Sequence, residues 1–202
     1  TTKLVPTTEL GFLDGDMFII SCQYDQSQVT ANSTSIPVTL LSTPLCIDPK
    51  KNEGLTQTKA EPTNPLYSLD KQQSSLVYYD KNTIVLTMPY WVKVTNSSVE
   101  DSELKKHSFV LSYDPTTMKD TDTKLKLYIS HVVDDAGETV TRSNFTYAYR
   151  AYSIRAALTV FKEKTGKLPK YLELTAKTNS SKDELKEESG ETSVEYDYAF
   201  TE

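Results

Sequence analysis

Apolar and polar residues alternate with a period of two over much of this chain, as strands buried on one face require. In "NTIVLTMPYWVKV" (82–94), Ile84, Leu86, Met88, Tyr90 and Val92 share one side. "HSFVLSY" (107–113), "KLKLYISH" (124–131), "NFTYAYRAY" (144–152), "KYLELTAKT" (170–178) and "SVEYDYAF" (193–200) repeat the pattern. Phe145, Tyr147 and Tyr149 fall together in the third of these, and Val194, Tyr196, Tyr198 and Phe200 in the last. Upstream, "MFIISCQY" (17–24) is β-branched and aromatic and follows the turn signal "DGD". "SIPVTLLSTPLCID" (35–48) is extended, and Pro37 and Pro44 place it at an edge or a bulge.

One segment has a different period. Ile154, Ala157, Leu158 and Phe161 recur at steps of three and four, which predicts a helix over 154–165. Ser153 is placed to cap its start, Gly166 to end it, and Pro169 follows. Lys162 and Lys164 suit the negative end of the helix dipole.

Residues 49–75 carry Pro, Gly, Asn and charge with no period, and mark the domain boundary. Two β domains are expected, over 1–65 and 66–202. A single short helix among at least six strands, without regular βαβ alternation, predicts an antiparallel β-sandwich for the second. The acidic stretch "TNSSKDELKEESGET" (178–192) reads as a solvated connector.

Composition narrows the function classes. The chain has 202 residues, 13 of them Tyr, and a net charge of -6. With no Lys/Arg run to offset it, that charge opposes nucleic-acid binding. No apolar run approaches the length of a membrane span. Cys22 shares a face with Phe18 and Ile20, as a buried thiol would; a Cys22–Cys46 disulfide is the alternative.

His107 and His131 are the only histidines. If 107–113 and 124–131 form a hairpin with Tyr113 opposite Leu125, the constant position sum of antiparallel pairing sets Leu111 against Leu127, Phe109 against Ile129 and His107 against His131. The two imidazoles then end an apolar strip. They would satisfy each other or nearby polar groups. The competing use is a metal site, which needs a third ligand, with Asp134 or Asp135 as the candidates.

No G-x-S-x-G, H-E-x-x-H, P-loop or G-x-G-x-x-G motif occurs. Paired carboxylates for a hydrolase leave no motif, and with 28 acidic residues the sequence does not test for them. Trp91 beside Tyr90 in "PYW" reads first as packing; exposed on a strand edge, the pair would contact a sugar or a partner. No catalytic residue and no cofactor are expected.

"KKHSFVLSYDP" (105–115), "LKLYISHVVDD" (125–135), the upstream "TIVLTMPYWVKV" and the final "SVEYDYAF" resemble the second domain of the NigD-like family, envelope lipoproteins of Gram-negative bacteria related to a bacteriocin-operon product. "LVPTTELGFLDGDMFIISCQYD" is similar to that family's first domain, a small OB-like barrel. The resemblance implies a fold and a lipid-anchored location in the cell envelope, and no reaction; the expected function is a non-enzymatic envelope lipoprotein that binds a protein or a glycan, and the alternatives are a hydrolase with dispersed carboxylates or a bacteriocin-associated immunity or accessory protein. Two departures accompany it. The first domain reads as short, as if strands before Thr1 were absent, so an incomplete barrel is expected, and no lipobox Cys is visible. The helix at 154–165 is not part of the family pattern.

Overall fold

A computed structural model of the chain describes residues 2–8, 17–47, 55–185 and 190–200. The chain divides into two compact units, Thr1–Lys51 and Asn52–Glu202. The boundary thus lies at the start of the aperiodic stretch, and not at residue 65. The reason is pairing and burial: Leu55–Thr56 join a sheet of the second unit, and Leu66 and Leu69 lie in its core.

In the first unit, β1 (Lys3–Pro6), β4 (Ser35–Leu40) and β3 (Cys22–Gln23) form one small sheet, and β2 (Met17–Ile19) with β5 (Leu45–Ile47) another. Among the described residues these strands close no barrel. The single strand expected over 17–24 is split between the two sheets, and the "DGD" turn lies outside the described residues. Pro37 sits in the middle strand of its sheet. β1 runs parallel to it, with the Thr34 and Val38 carbonyls turned toward β1. The Pro37 nitrogen therefore faces the other side, where β3 reaches only Thr39 and Leu40, and no donor is missed. Cys22 is half-buried and Cys46 exposed, and both thiols are free.

The second unit is mainly β, with two facing sheets. One has five strands in the order β13 (Glu191–Asp197), β12 (Tyr171–Lys177), β10 (Lys124–Val133), β9 (His107–Ser112) and β6 (Leu55–Thr56). The other orders β11 (Asn144–Ser153), β8 (Thr83–Val92) and β7 (Ser75–Asp80). The short helix α1 (Asp101–Leu104) precedes β9, and α2 (Arg155–Thr165) follows β11. Strand β7 and helix α1 had no clear sequence signal.

The five-stranded sheet is mixed, which corrects the antiparallel expectation. β10 and β12 run parallel, as do β6 and β9. Parallel neighbours need a long crossover. Here β11 and α2 supply it, carrying the chain through the opposite sheet and back. The helix spans Arg155–Thr165 and buries Ala157, Leu158 and Phe161, with Ile154 buried at its N-cap. Ser153 ends β11 and does not cap it; no side-chain cap bond is made at Ile154. Gly166 ends the helix in the left-handed region at φ 73°, donating its N–H to the Lys162 carbonyl.

Tyrosine hydroxyls join the sheets. Tyr152 donates to the Phe109 carbonyl at 2.6 Å, Tyr78 to Asp197 at 2.9 Å and Tyr196 to Ser74 at 3.0 Å. Leu66 bridges them by backbone: its N–H donates to Lys177, its carbonyl accepts from Asn179, and the next N–H, of Tyr67, donates to Pro89.

The packing of α2 generates a stability prediction. Phe161 is fully buried, so Phe161→Ala should destabilise the second unit by about 3–5 kcal/mol, read from the shift in its urea midpoint.

Candidate functional site

At one end of the sandwich the buried side chains are polar and charged. Strand β9 starts at His107 and β10 ends at Val133, so their ends bring two imidazoles under the same edge. The pairing sets His131 opposite Phe109 and His107 opposite Val133. This differs from the expected register by two residues. A two-residue shift keeps every side chain on its face, so the apolar pattern does not distinguish the two alignments. The histidines are diagonal neighbours, and still touch: His107 Nδ1 lies 2.9 Å from His131 Nε2, with the rings stacked 16° from parallel.

Glu103, on α1, places Oε1 3.2 Å from His107 Nε2. On the far side, His131 Nδ1 lies 3.1 Å from the Pro65 carbonyl. Asp134 takes no part; it is exposed, and its carboxylate accepts from the Ala136 N–H. Among the described residues no group of three or more His, Cys, Asp or Glu has metal-binding geometry.

Glu103 connects the imidazoles to Arg142, whose side chain is only 1% exposed. Arg142 Nε donates to Glu103 Oε1 at 2.6 Å; Nη2 and Nη1 donate to the two Asp135 oxygens at 2.7 and 2.9 Å; Nη1 also reaches Asp183 at 3.3 Å. The planar guanidinium fork suits this bidentate pairing, which a lysine would not reproduce. Glu103 Oε1 further accepts the Lys93 N–H at 3.0 Å, Asp183 accepts from Asn64, and Lys106 pairs with Asp135. Three carboxylates thus face two cations.

The pKa directions follow. Burial acts to raise Glu103, but the hydrogen bonds from Arg142, Lys93 and His107 outweigh it and hold the carboxyl below its usual range. Hydrogen bonds from Arg142 lower Asp135. Asp183 goes up, because burial outweighs the Asn64 bond and one long contact to Arg142. Burial pushes His107 down to about 4 against the pull of Glu103, and His131 down to about 3 with the neighbouring imidazole adding to the effect.

Shifted carboxyls and imidazoles joined through one buried cation are a pattern that acid–base sites share. Here nothing reaches it: His107 is 0% exposed, Glu103 7% and Asp183 5%. Tyr90 is buried with its ring edge-on to His107, Phe109 and His131. Trp91 is buried as well, donating Nε1–H to the Asn179 carbonyl and packing against Tyr67. Neither offers a face to a ligand. Sequence reasoning found the histidines and missed Glu103, Arg142 and Asp183. The available signal was arginine itself: only Arg142, Arg150 and Arg155 break an otherwise all-lysine set of cations.

Arg142→Met should cost about 3–5 kcal/mol, because it leaves buried carboxylates without their cation. Arg142→Lys should recover only part of this, since an ammonium lacks the planar fork that meets both Asp135 oxygens and Glu103 at once. Equilibrium denaturation at neutral pH measures both.

No protein-family model matches the chain, and no curated protein matches it. Solved structures do. A crystal structure described as a "putative lipoprotein" from Bacteroides fragilis NCTC 9343 aligns with 30% identity and a TM-score of 0.79, over 100% of this chain and 90% of that one. An uncharacterized protein from Parabacteroides merdae shares 16% identity at a TM-score of 0.58, over 98% and 89% of the two chains. A DUF1344 protein of unknown function from Bacteroides vulgatus shares 7% at 0.53, over 99% and 80%. The last two show the fold alone. The identity and near-complete coverage of the first show more: this chain belongs to the family of the Bacteroides fragilis lipoprotein.

Proposed function

We propose that the chain is a non-enzymatic lipoprotein of the Gram-negative cell envelope, of the NigD-like kind, that binds a protein or glycan partner. The observation that carries the binding role is the outer face of the three-stranded sheet. Tyr79, Val77, Phe145 and Tyr147 are 69%, 58%, 42% and 39% exposed. Period-two alternation turns all four away from the core, and Phe145 stacks on Tyr67 at 4.2 Å. The four form two pairs on this face, Phe145 and Tyr147 beside Trp91 and Pro89 toward one end of β8, and Val77 and Tyr79 toward the other; exposed aromatic residues of this kind are enriched at interaction surfaces.

The hydrolase reading has less support. It requires two convergent carboxylates open to a substrate. The cleft of about 580 Å³ beside α2 has Glu163 as its one lining carboxylate. A second, of about 480 Å³, has none, and a third, of about 450 Å³, has only Asp197. Among the described residues, Glu103, Asp135 and Asp183 converge on Arg142 in a closed site, and Glu173 and Glu195 converge on Lys124 outside these clefts, each set held by its cation.

The test compares the wild type with a Tyr79→Ser, Phe145→Ser, Tyr147→Ser variant, using envelope extract and purified envelope polysaccharide. The wild type should retain a partner, the variant should bind it at least about tenfold more weakly, or 1.4 kcal/mol, and the melting temperature should not change. Release of reducing ends from the polysaccharide would favour the hydrolase instead, and equal retention by both proteins would remove the aromatic face from the account.

A further inference from the structure

Three contacts run in line through the two imidazoles: Glu103 Oε1 to His107 Nε2, His107 Nδ1 to His131 Nε2, and His131 Nδ1 to the Pro65 carbonyl. Each needs one proton to be a hydrogen bond. Neither terminal oxygen supplies one, because the Pro65 carbonyl only accepts and Glu103 Oε1 already accepts from Arg142 and Lys93 as an ionised carboxylate. Two neutral imidazoles bring two protons to three contacts, so one contact is left with two acceptors facing each other.

The charge on Glu103 decides which. A bare nitrogen against a buried carboxylate is the most costly mismatch, so His107 keeps its proton on Nε2. Its Nδ1 then accepts from His131 Nε2–H. The deficit falls on His131 Nδ1 and the Pro65 carbonyl.

That contact belongs to a segment without regular structure. Over residues 60–65 the chain lies along the end of β10: the Ala60 carbonyl accepts from Ser130, the Thr63 and Asn64 N–H groups donate to the His131 carbonyl, and Thr63 Oγ1 accepts the Val133 N–H. Glu61 and Thr63 are exposed, while His131 beneath is buried.

We propose that the His107–His131 pair is a pH-sensitive latch: neutral and buried it stays under segment 60–65, and acid releases that segment by letting the imidazoles take up protons in the open state. The charged and titratable surroundings pull both ways. Burial and Arg142 disfavour an added positive charge, while Glu103 on α1 and Asp135 after β10 draw one toward His107, and burial outweighs them; Asp183 in the β12–β13 connector holds Arg142 and Asn64, and Tyr90 on β8 and Phe109 on β9 fill the remaining sides, with Arg150 of β11 over the Phe109 ring. The sign follows from linkage. The closed imidazoles are depressed to about 4 and about 3, and exposed ones titrate near 6.5. Above that value neither state binds a proton and the latch is closed. As pH falls from about 6.5 toward about 4, the open state binds protons that the closed state does not, and opening becomes easier by about tenfold per pH unit for each proton. The His107 contribution levels off below about 4 and that of His131 below about 3.

Amide hydrogen exchange by NMR between about pH 6.5 and 4.5 tests this, after correction for the intrinsic exchange rate. Protection at Thr63 and Asn64 should fall by about tenfold per pH unit while Leu127 and Leu174 keep theirs, and in His131→Phe the Thr63 and Asn64 protection should be flat with pH. Flat protection in the wild type, or loss in step with Leu127, would overturn the latch. Imidazole nitrogen shifts of the wild type give a check that needs no variant. At pH 7 both rings should be neutral with the proton on Nε2; a proton on His131 Nδ1 at that pH would contradict the assignment.

Discussion

A buried guanidinium that must be neutralised sets the arrangement of one end of this protein. Arg142 lies in the β10–β11 connection together with Asp135, and its other partners come from two further places: Glu103 from α1 and Asp183 from the connector between β12 and β13. A cation taken out of water is tolerated only where several acceptors meet it at once. The three segments are therefore fixed together or not at all. The same requirement reaches outward, since Glu103 also holds the Lys93 N–H and His107, and Asp183 holds Asn64. The histidines, the 60–65 segment and the acidic connector are thus parts of one network. A well-packed apolar cluster would be about as stable in that position; the ionic one specifies which loops meet.

Much of the sandwich was legible because its strands obey a simple constraint. Ile84, Leu86, Met88, Tyr90 and Val92 alternate in sequence and are all buried in the structure. The α2 stripe was equally clear, and its inward residues are the expected ones. Pairing was less legible. The β9–β10 register is off by two because the pattern fixes only the face, and the alignment is set by the loop between the strands. The parallel β10–β12 pair was hidden for a similar reason: alternation says which side of a strand is buried, and nothing about which neighbour it has. Phe145 and Tyr147 alternate as a core strand would, yet face outward, since aromatic alternation has the same period on either side of a sheet.

The charged cluster left almost no trace in the sequence. Glu103, Asp135, Arg142 and Asp183 are dispersed, and each looks like an ordinary surface residue. Asp183 lies in a stretch that reads as a solvated acidic loop, and becomes buried only because Asn64 and Arg142 meet it there. The two faces of the second unit consequently differ in kind. Its polar end is internally paired except at His131 Nδ1 and the Pro65 carbonyl, and its imidazoles and Arg142 are closed to solvent, so shifted pKa values occur there without access for a substrate. Its aromatic face is open to solvent.

The state of the Arg142 side chain tests this account most directly. In a selectively labelled sample at neutral pH, the Arg142 Nε–H should give its own resonance, displaced from those of the other arginines and exchanging slowly with water, because Glu103 Oε1 accepts it at 2.6 Å in a site closed to solvent. An Nε–H that exchanges as fast as that of a free arginine would mean the guanidinium is solvated, and the network on which the loops depend would not exist as described.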